Sequence, residues 1–67
     1  MKAGVRNRFN GTIKDIKKGT VMSQVTVQVG DNEITSVMTN ESLEDAGFRV
    51  GDNVTALTKA INVVLVK

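Results

Sequence analysis

The dominant rhythm of the chain is two. "TVMSQVTVQV" sets Val21, Val25, Val27 and Val29 against Gln24, Thr26 and Gln28, the alternation of a half-buried strand. "GDN" at Gly30 to Asn32 is a turn, and "EITSVM" resumes the strand pattern, so the two segments predict a hairpin. An earlier strand, "RNRFNGTI", runs into a turn at "DIKKGT", Asp15 to Thr20. The alternation breaks at "TNESLEDAGF". Thr39, Asn40 and Ser42 are candidate N-caps there, Glu41, Glu44 and Asp45 suit the positive end of a helix dipole, and Gly47 is a natural stop. This predicts a helix of one or two turns. "RVGDNV" is a turn leading into "VTALTK", and "INVVLVK" reads as a closing strand. The expected fold is mainly β: a small five-stranded OB-like Greek-key barrel with one short helix between strands 3 and 4.

Two positions resist this pattern. Gly11 interrupts the first strand, which marks a bulge or a close backbone approach in a strongly bent strand. The closing strand is apolar on both faces, with Ile61, Val63 and Leu65 one way and Val64 and Val66 the other. A strand buried on both sides needs cover on both sides, and a small barrel has one interior. The outer face is therefore expected to meet another subunit.

The length of 67 residues permits a single domain, 1–67, with a small core. There is no Cys and no His, which removes disulfides, thiolate and imidazole metal sites, and the commonest nucleophile and base. No GxGxxG or Walker sequence is present, and Glu44 and Asp45 point to different sides of the helix. The chain is expected not to be an enzyme. No apolar run has membrane-spanning length and the first residues lack a signal-peptide core, so a cytoplasmic protein is expected.

Charge is unevenly spread. Met1 to Lys18 holds six cations against one acid, net +5, whereas Gly19 onward is net −3. A basic segment points to an anionic partner, although Lys14, Lys17 and Lys18 are more simply a solvated strand face. Single-stranded nucleic acid is one candidate, since OB barrels often bind it on stacked aromatics. Only Phe9 and Phe48 are available, and Phe48 is placed for the core. A small oxyanion fits better, because its site needs donors alone: guanidinium, ammonium, hydroxyl and backbone N–H. Arg6, Thr39 with its following amides, Ser42 and Lys59 supply them.

"RNRFNGTI", "GTVMSQVTVQVGDNEITSVMTNESLEDAGF" and "GDNVTALTKAINVVLVK" together resemble the molbindins, the stand-alone Mop proteins built on the Mop or TOBE domain. The likeness spans essentially the whole chain. It is carried by Arg6-Asn7 with Gly11 four residues after Asn7, by the strand–helix junction ending in Gly47, and by "ALTKAINVVLV". The resemblance implies binding of molybdate or tungstate without a further cofactor, and a hexamer built as a trimer of dimers with oxyanions between subunits. It implies ligand roles for Arg6 and Lys59, for Thr39 from a neighbouring subunit, and for backbone N–H groups around Val5 and Ala60. Family members often carry Ser two residues before the Arg and sometimes after the Lys; Gly4 and Ala60 stand there. Storage or homeostasis of molybdenum is the role implied. A module that senses the anion and docks on another protein is a third reading.

Overall fold

The computed structural model describes residues 6–67. Four antiparallel strands form one curled sheet: β1 (Asn7–Lys18), β2 (Met22–Val29), β3 (Asn32–Thr39) and β4 (Asn53–Thr58), in the spatial order β3-β2-β1-β4. Between β3 and β4 lies the helix α1 (Asn40–Ala46). The long β1 organises the rest. Its first half pairs with β4, from Asn7 opposite Thr58 to Thr12 opposite Asn53. Its second half pairs with β2, from Thr12 opposite Gln28 to Lys18 opposite Ser23. A strand that changes partner midway must bend.

The irregularity that accommodates the bend lies between Ile13 and Asp15, where the β1–β2 register shifts. Gly11 is the other device foreseen for it, the close approach. A Cβ there would stand 2.5 Å from the Gln28 carbonyl oxygen. The β1–β2 turn is shorter than its composition suggested, because β1 continues through Lys18.

The helix follows its predicted grammar. Thr39 is the N-cap, its hydroxyl accepting from the Ser42 N–H at 3.1 Å, and Gly47 closes the helix in the left-handed conformation at φ 70°. Leu43 turns inward to join Ile13, Val25 and Val27 in the buried core, with Ile16, Val29, Met38, Phe48 and Val54 packed around it. Asn40 is the helix's first residue and not its cap. Its Oδ1 accepts from the hydroxyl of Ser23, a residue only 2% exposed, and its Nδ2 donates to the carbonyls of Gly19 and Thr20. With the Asn40 N–H on the Val21 carbonyl at 2.8 Å, the helix start is tied to the β1–β2 turn. Asn40→Ala strands the buried Ser23 hydroxyl and is expected to cost about 1–3 kcal/mol, read as a lowered urea midpoint.

The fifth strand is not formed. Beyond β4 the chain makes a single 3₁₀ turn, Ala60–Asn62, and then runs on as an extended tail with no strand partner. The described chain is a four-stranded half-barrel and not a closed five-stranded one. The reason is visible in the turn: the Asn62 N–H bonds the Lys59 carbonyl at 2.9 Å and the Val63 N–H bonds that of Ala60 at 3.2 Å. These bonds turn the chain just past the end of β4. Ile61, Val64, Leu65 and Val66 are each at least 84% exposed. The gap left behind is a groove of about 400 Å³, lined by core residues Ile13, Val25 and Val27 and flanked by Ile34 and Met38 on β3 and Val54 and Leu57 on β4.

Candidate functional site

Arg6 immediately precedes β1 and Lys59 immediately follows β4. The ladder between those strands ends with Asn7 opposite Thr58. Continued by one rung, the same register sets Arg6 opposite Lys59. Alternation places both on the face that carries Arg8 and Leu57. Both are exposed. Two like charges facing each other across a ladder repel, and neither has a carboxylate partner among the described residues. Among the described residues the salt bridges are Lys14–Glu33 and Lys18–Glu44. The second of these holds the Glu44 carboxyl below its usual range, through the hydrogen bond from Lys18 first and its charge second. The acids of the chain thus neutralise the far end of the basic strand and leave this rung bare.

Thr39 and Ser42 sit elsewhere. Thr39 ends β3 opposite Met22, at the end of the sheet where Lys18 faces Ser23. That is the other end of the 12-residue β1, roughly 36 Å of strand from the Arg6 rung. The Thr39 hydroxyl accepts the Ser42 N–H and donates to the Ser42 oxygen at 2.9 Å. One proton lies between the two hydroxyls, so the Thr39–Ser42 pair keeps one donor to turn outward. Ala60 begins the 3₁₀ turn beside Lys59. Val5 and Gly4 lie outside the described residues.

The register thus sets the backbone of Arg6 beside that of Lys59 and Ala60 at one end of β1, and Thr39 and Ser42 at the other end. Exposed cations stand at one end, and hydroxyls at the start of an acidic helix, with Glu41 in its first turn, at the other. No cluster of three or more acids, histidines or cysteines with metal-holding geometry occurs among the described residues. No described helix is long and apolar enough to cross a membrane. Asn7, half of the Arg-Asn pair, donates its Nδ2 to the Thr58 carbonyl at 3.2 Å across the last rung.

The curled OB-like sheet, with exposed cations at one end and hydroxyls at the other, defines a small ligand-binding module. A TOBE domain matches residues 4–65, and the chain belongs to that family, on its Mop branch. Over 66 residues it is 33% identical to molybdenum-pterin-binding protein 2 of Clostridium pasteurianum, covering 97% of each chain. A molybdate-binding protein from Sporomusa ovata superposes over 100% of both chains, with a TM-score of 0.93 and 37% identity. The cytoplasmic molybdate-binding protein ModG matches at a TM-score of 0.88 and 35% identity, with 96% of this chain covering 46% of that one.

Proposed function

We propose that the protein binds molybdate or tungstate, without catalysis, at sites shared between copies of the chain, and serves intracellular molybdenum storage or homeostasis in the cytoplasm. The observation that carries this reading is the bare cation rung. Arg6 and Lys59 repel each other unless an anion lies between them, and the hydroxyls that would complete the shell stand at the far end of the same chain. A second copy can supply them, Ser42 and Thr39 of one subunit meeting Arg6, Lys59 and the amides near Val5 and Ala60 of another. A homo-oligomer follows, and a hexamer is the arrangement that the family resemblance favours. The full-length likeness to molybdate-binding proteins supports the choice of ligand.

The chemistry is consistent. Molybdate is a fully ionised tetrahedral dianion at neutral pH and accepts from every direction. A buried dianion needs hydroxyls and amides besides charge, because two cations alone would not repay its desolvation. Pterin has little to hold it: its flat ring wants a stacking partner, and Phe9 and Phe48 are the chain's two aromatics. Nucleic acid is disfavoured by the pairing of Lys14 and Lys18 with Glu33 and Glu44.

The test is calorimetric titration of molybdate into Arg6→Ala and Lys59→Ala. Each loses a charged donor and is expected to bind at least about tenfold more weakly. Affinities equal to the unsubstituted protein's in both variants would remove the site from this end of the molecule.

A further inference from the structure

Asn-Gly is ordinarily a turn dipeptide, yet Asn10-Gly11 lies inside β1, with Asn10 opposite Thr55 and Gly11 opposite Val54. The pair carries a chemistry of its own. An asparagine carboxamide is an electrophile, and the next backbone nitrogen is a nucleophile placed to close a five-membered ring on it. A side chain on the next residue crowds that attack, and glycine has none. Asn10 is the one asparagine of the chain's six that precedes glycine; Asn7, Asn32, Asn40, Asn53 and Asn62 precede Arg, Glu, Glu, Val and Val.

Gly11 cannot be exchanged to remove the hazard, because a Cβ there would meet the Gln28 carbonyl oxygen at 2.5 Å. The sheet restrains the reaction instead. Ring closure requires the Asn10 ψ to leave the extended range near roughly 135°, which swings the Asn10–Gly11 peptide plane out of the β1–β4 ladder. Rungs on both sides hold that plane, Phe9 opposite Ala56 and Thr12 opposite Asn53, and β2 lies closely against Gly11. The carboxamide itself is turned across the ladder, its Oδ1 accepting from the Thr55 hydroxyl at 3.0 Å. The restraint is local, however. β4 is the six-residue outer strand of the sheet, and such an element opens at less cost than the whole fold.

We propose that Asn10 is a latent self-modification site: the β1–β4 ladder blocks imide formation with Gly11, and a chain whose ladder stays open is converted irreversibly. In the first step the Gly11 nitrogen bonds to the Asn10 Cγ and the Cγ–Nδ2 bond breaks. Ammonia leaves, carrying the proton of the Gly11 nitrogen. Water then opens the imide. Attack at Cγ gives aspartate on the original backbone. Attack at the Asn10 main-chain carbonyl leaves Gly11 joined through Cγ, an isoaspartate that lengthens β1 by one methylene. The aspartate still accepts the Thr55 hydroxyl. The isoaspartate cannot keep both Phe9 opposite Ala56 and Gly11 packed on the Gln28 carbonyl, so it removes the chain from the folded pool.

The test ages the full chain in mildly alkaline buffer with and without denaturing urea. Peptide mass spectrometry follows each asparagine, and chromatography separates the aspartate and isoaspartate peptides. In urea, Asn10 is expected to convert ahead of the other five; without urea, its conversion is expected to be at least about tenfold slower. Equal Asn10 rates in the two conditions would overturn the restraint. Another asparagine converting first in urea would overturn the site. Urea is then removed from the aged sample, and recovery of the sheet is read by circular dichroism beside Asn10→Asp and Asn10→Gln aged in the same way. Asn10→Asp reproduces the first product. Asn10→Gln blocks the chemistry, since its carboxamide closes only a slower six-membered ring. Both variants, and the unconverted chains of the aged sample, are expected to regain the sheet while the isoaspartate fraction stays unfolded. An isoaspartate fraction that refolds as fully as the unconverted chains would show that β1 absorbs the extra methylene, and the loss from the folded pool would fall.

Discussion

Gly11→Val is expected to leave no folded protein, and Gly11→Ala to cost about 3 kcal/mol, a large share of what a domain this small can hold. The reason is contact and not conformation. Gly11 has no positive φ, so its own backbone would accept a side chain. Its surroundings would not. A Cβ would meet the Gln28 carbonyl oxygen at 2.5 Å, the Val27 Cγ1 at 2.7 Å and the Val29 Cγ2 at 2.9 Å. The first of these is backbone of β2 and cannot swing aside. Val27 is itself in the buried core. Relief would require β1 to move off β2 at the place where it passes from one partner strand to the other. Gly47→Ala is the useful comparison, because nothing lies within 4 Å of its Cβ position and its cost is the left-handed φ of 70° alone, about 1 kcal/mol. Urea denaturation at a fixed protein concentration separates the two. A Gly11→Ala midpoint equal to or above that of Gly47→Ala would show that β1 and β2 are not in close approach there.

The legible part of this fold is the part governed by local rules. The hairpin of β2 and β3, the turn at Gly30 and the helix between Thr39 and Gly47 each follow from side-chain alternation or capping chemistry within a few residues. So does the resemblance that led to the family. What local rules cannot reach is the partner of each strand. Gly11 was flagged as an anomaly, but the choice between bulge and close approach depended on β2 lying against it. The bulge itself fell nearby, between Ile13 and Asp15, in residues of ordinary appearance. Asn40 was one of three candidate caps, and only the burial of Ser23 distinguishes it as a tie between helix and turn. At the site, residue types pointed to donors for an anion, yet the distance between the Arg6 rung and Ser42 is a property of how long β1 is.

Replacing Val64 and Leu65 together by Asp is expected to convert the assembled protein to monomers and to abolish molybdate binding in the same step. The last strand was expected because "INVVLVK" has the composition of one, and the isolated chain does not form it. Both facts have one cause. A strand apolar on both faces gains nothing from one side of its own half-barrel, and the 3₁₀ turn at Ala60–Asn62 points it outward. The result is a tail with Val64 84% exposed and Leu65 88% exposed, beside a buried apolar core that, among the described residues, consists of Ile13, Val25, Val27 and Leu43. Each such side chain gains roughly 1.5–3 kcal/mol on burial, so covering the tail with another copy would be favourable. The same chain carries the complement, an apolar groove of about 400 Å³ open between β3 and β4, whose outer strand edges lack partners. A tail from one copy in the groove of another buries the apolar side chains and covers both edges. Two aspartates would carry uncompensated charge into that groove, at a cost far above the gain from the remaining valines. The fold of each half-barrel should survive, since its core uses none of the tail. Native mass spectrometry with and without molybdate reads both consequences at once. Monomers that still gain molybdate adducts would mean that one chain suffices for the site, and the separation of Arg6 from Ser42 would then lose its meaning. An unchanged oligomer would place the contact between subunits on some other surface and leave the tail without a role in assembly.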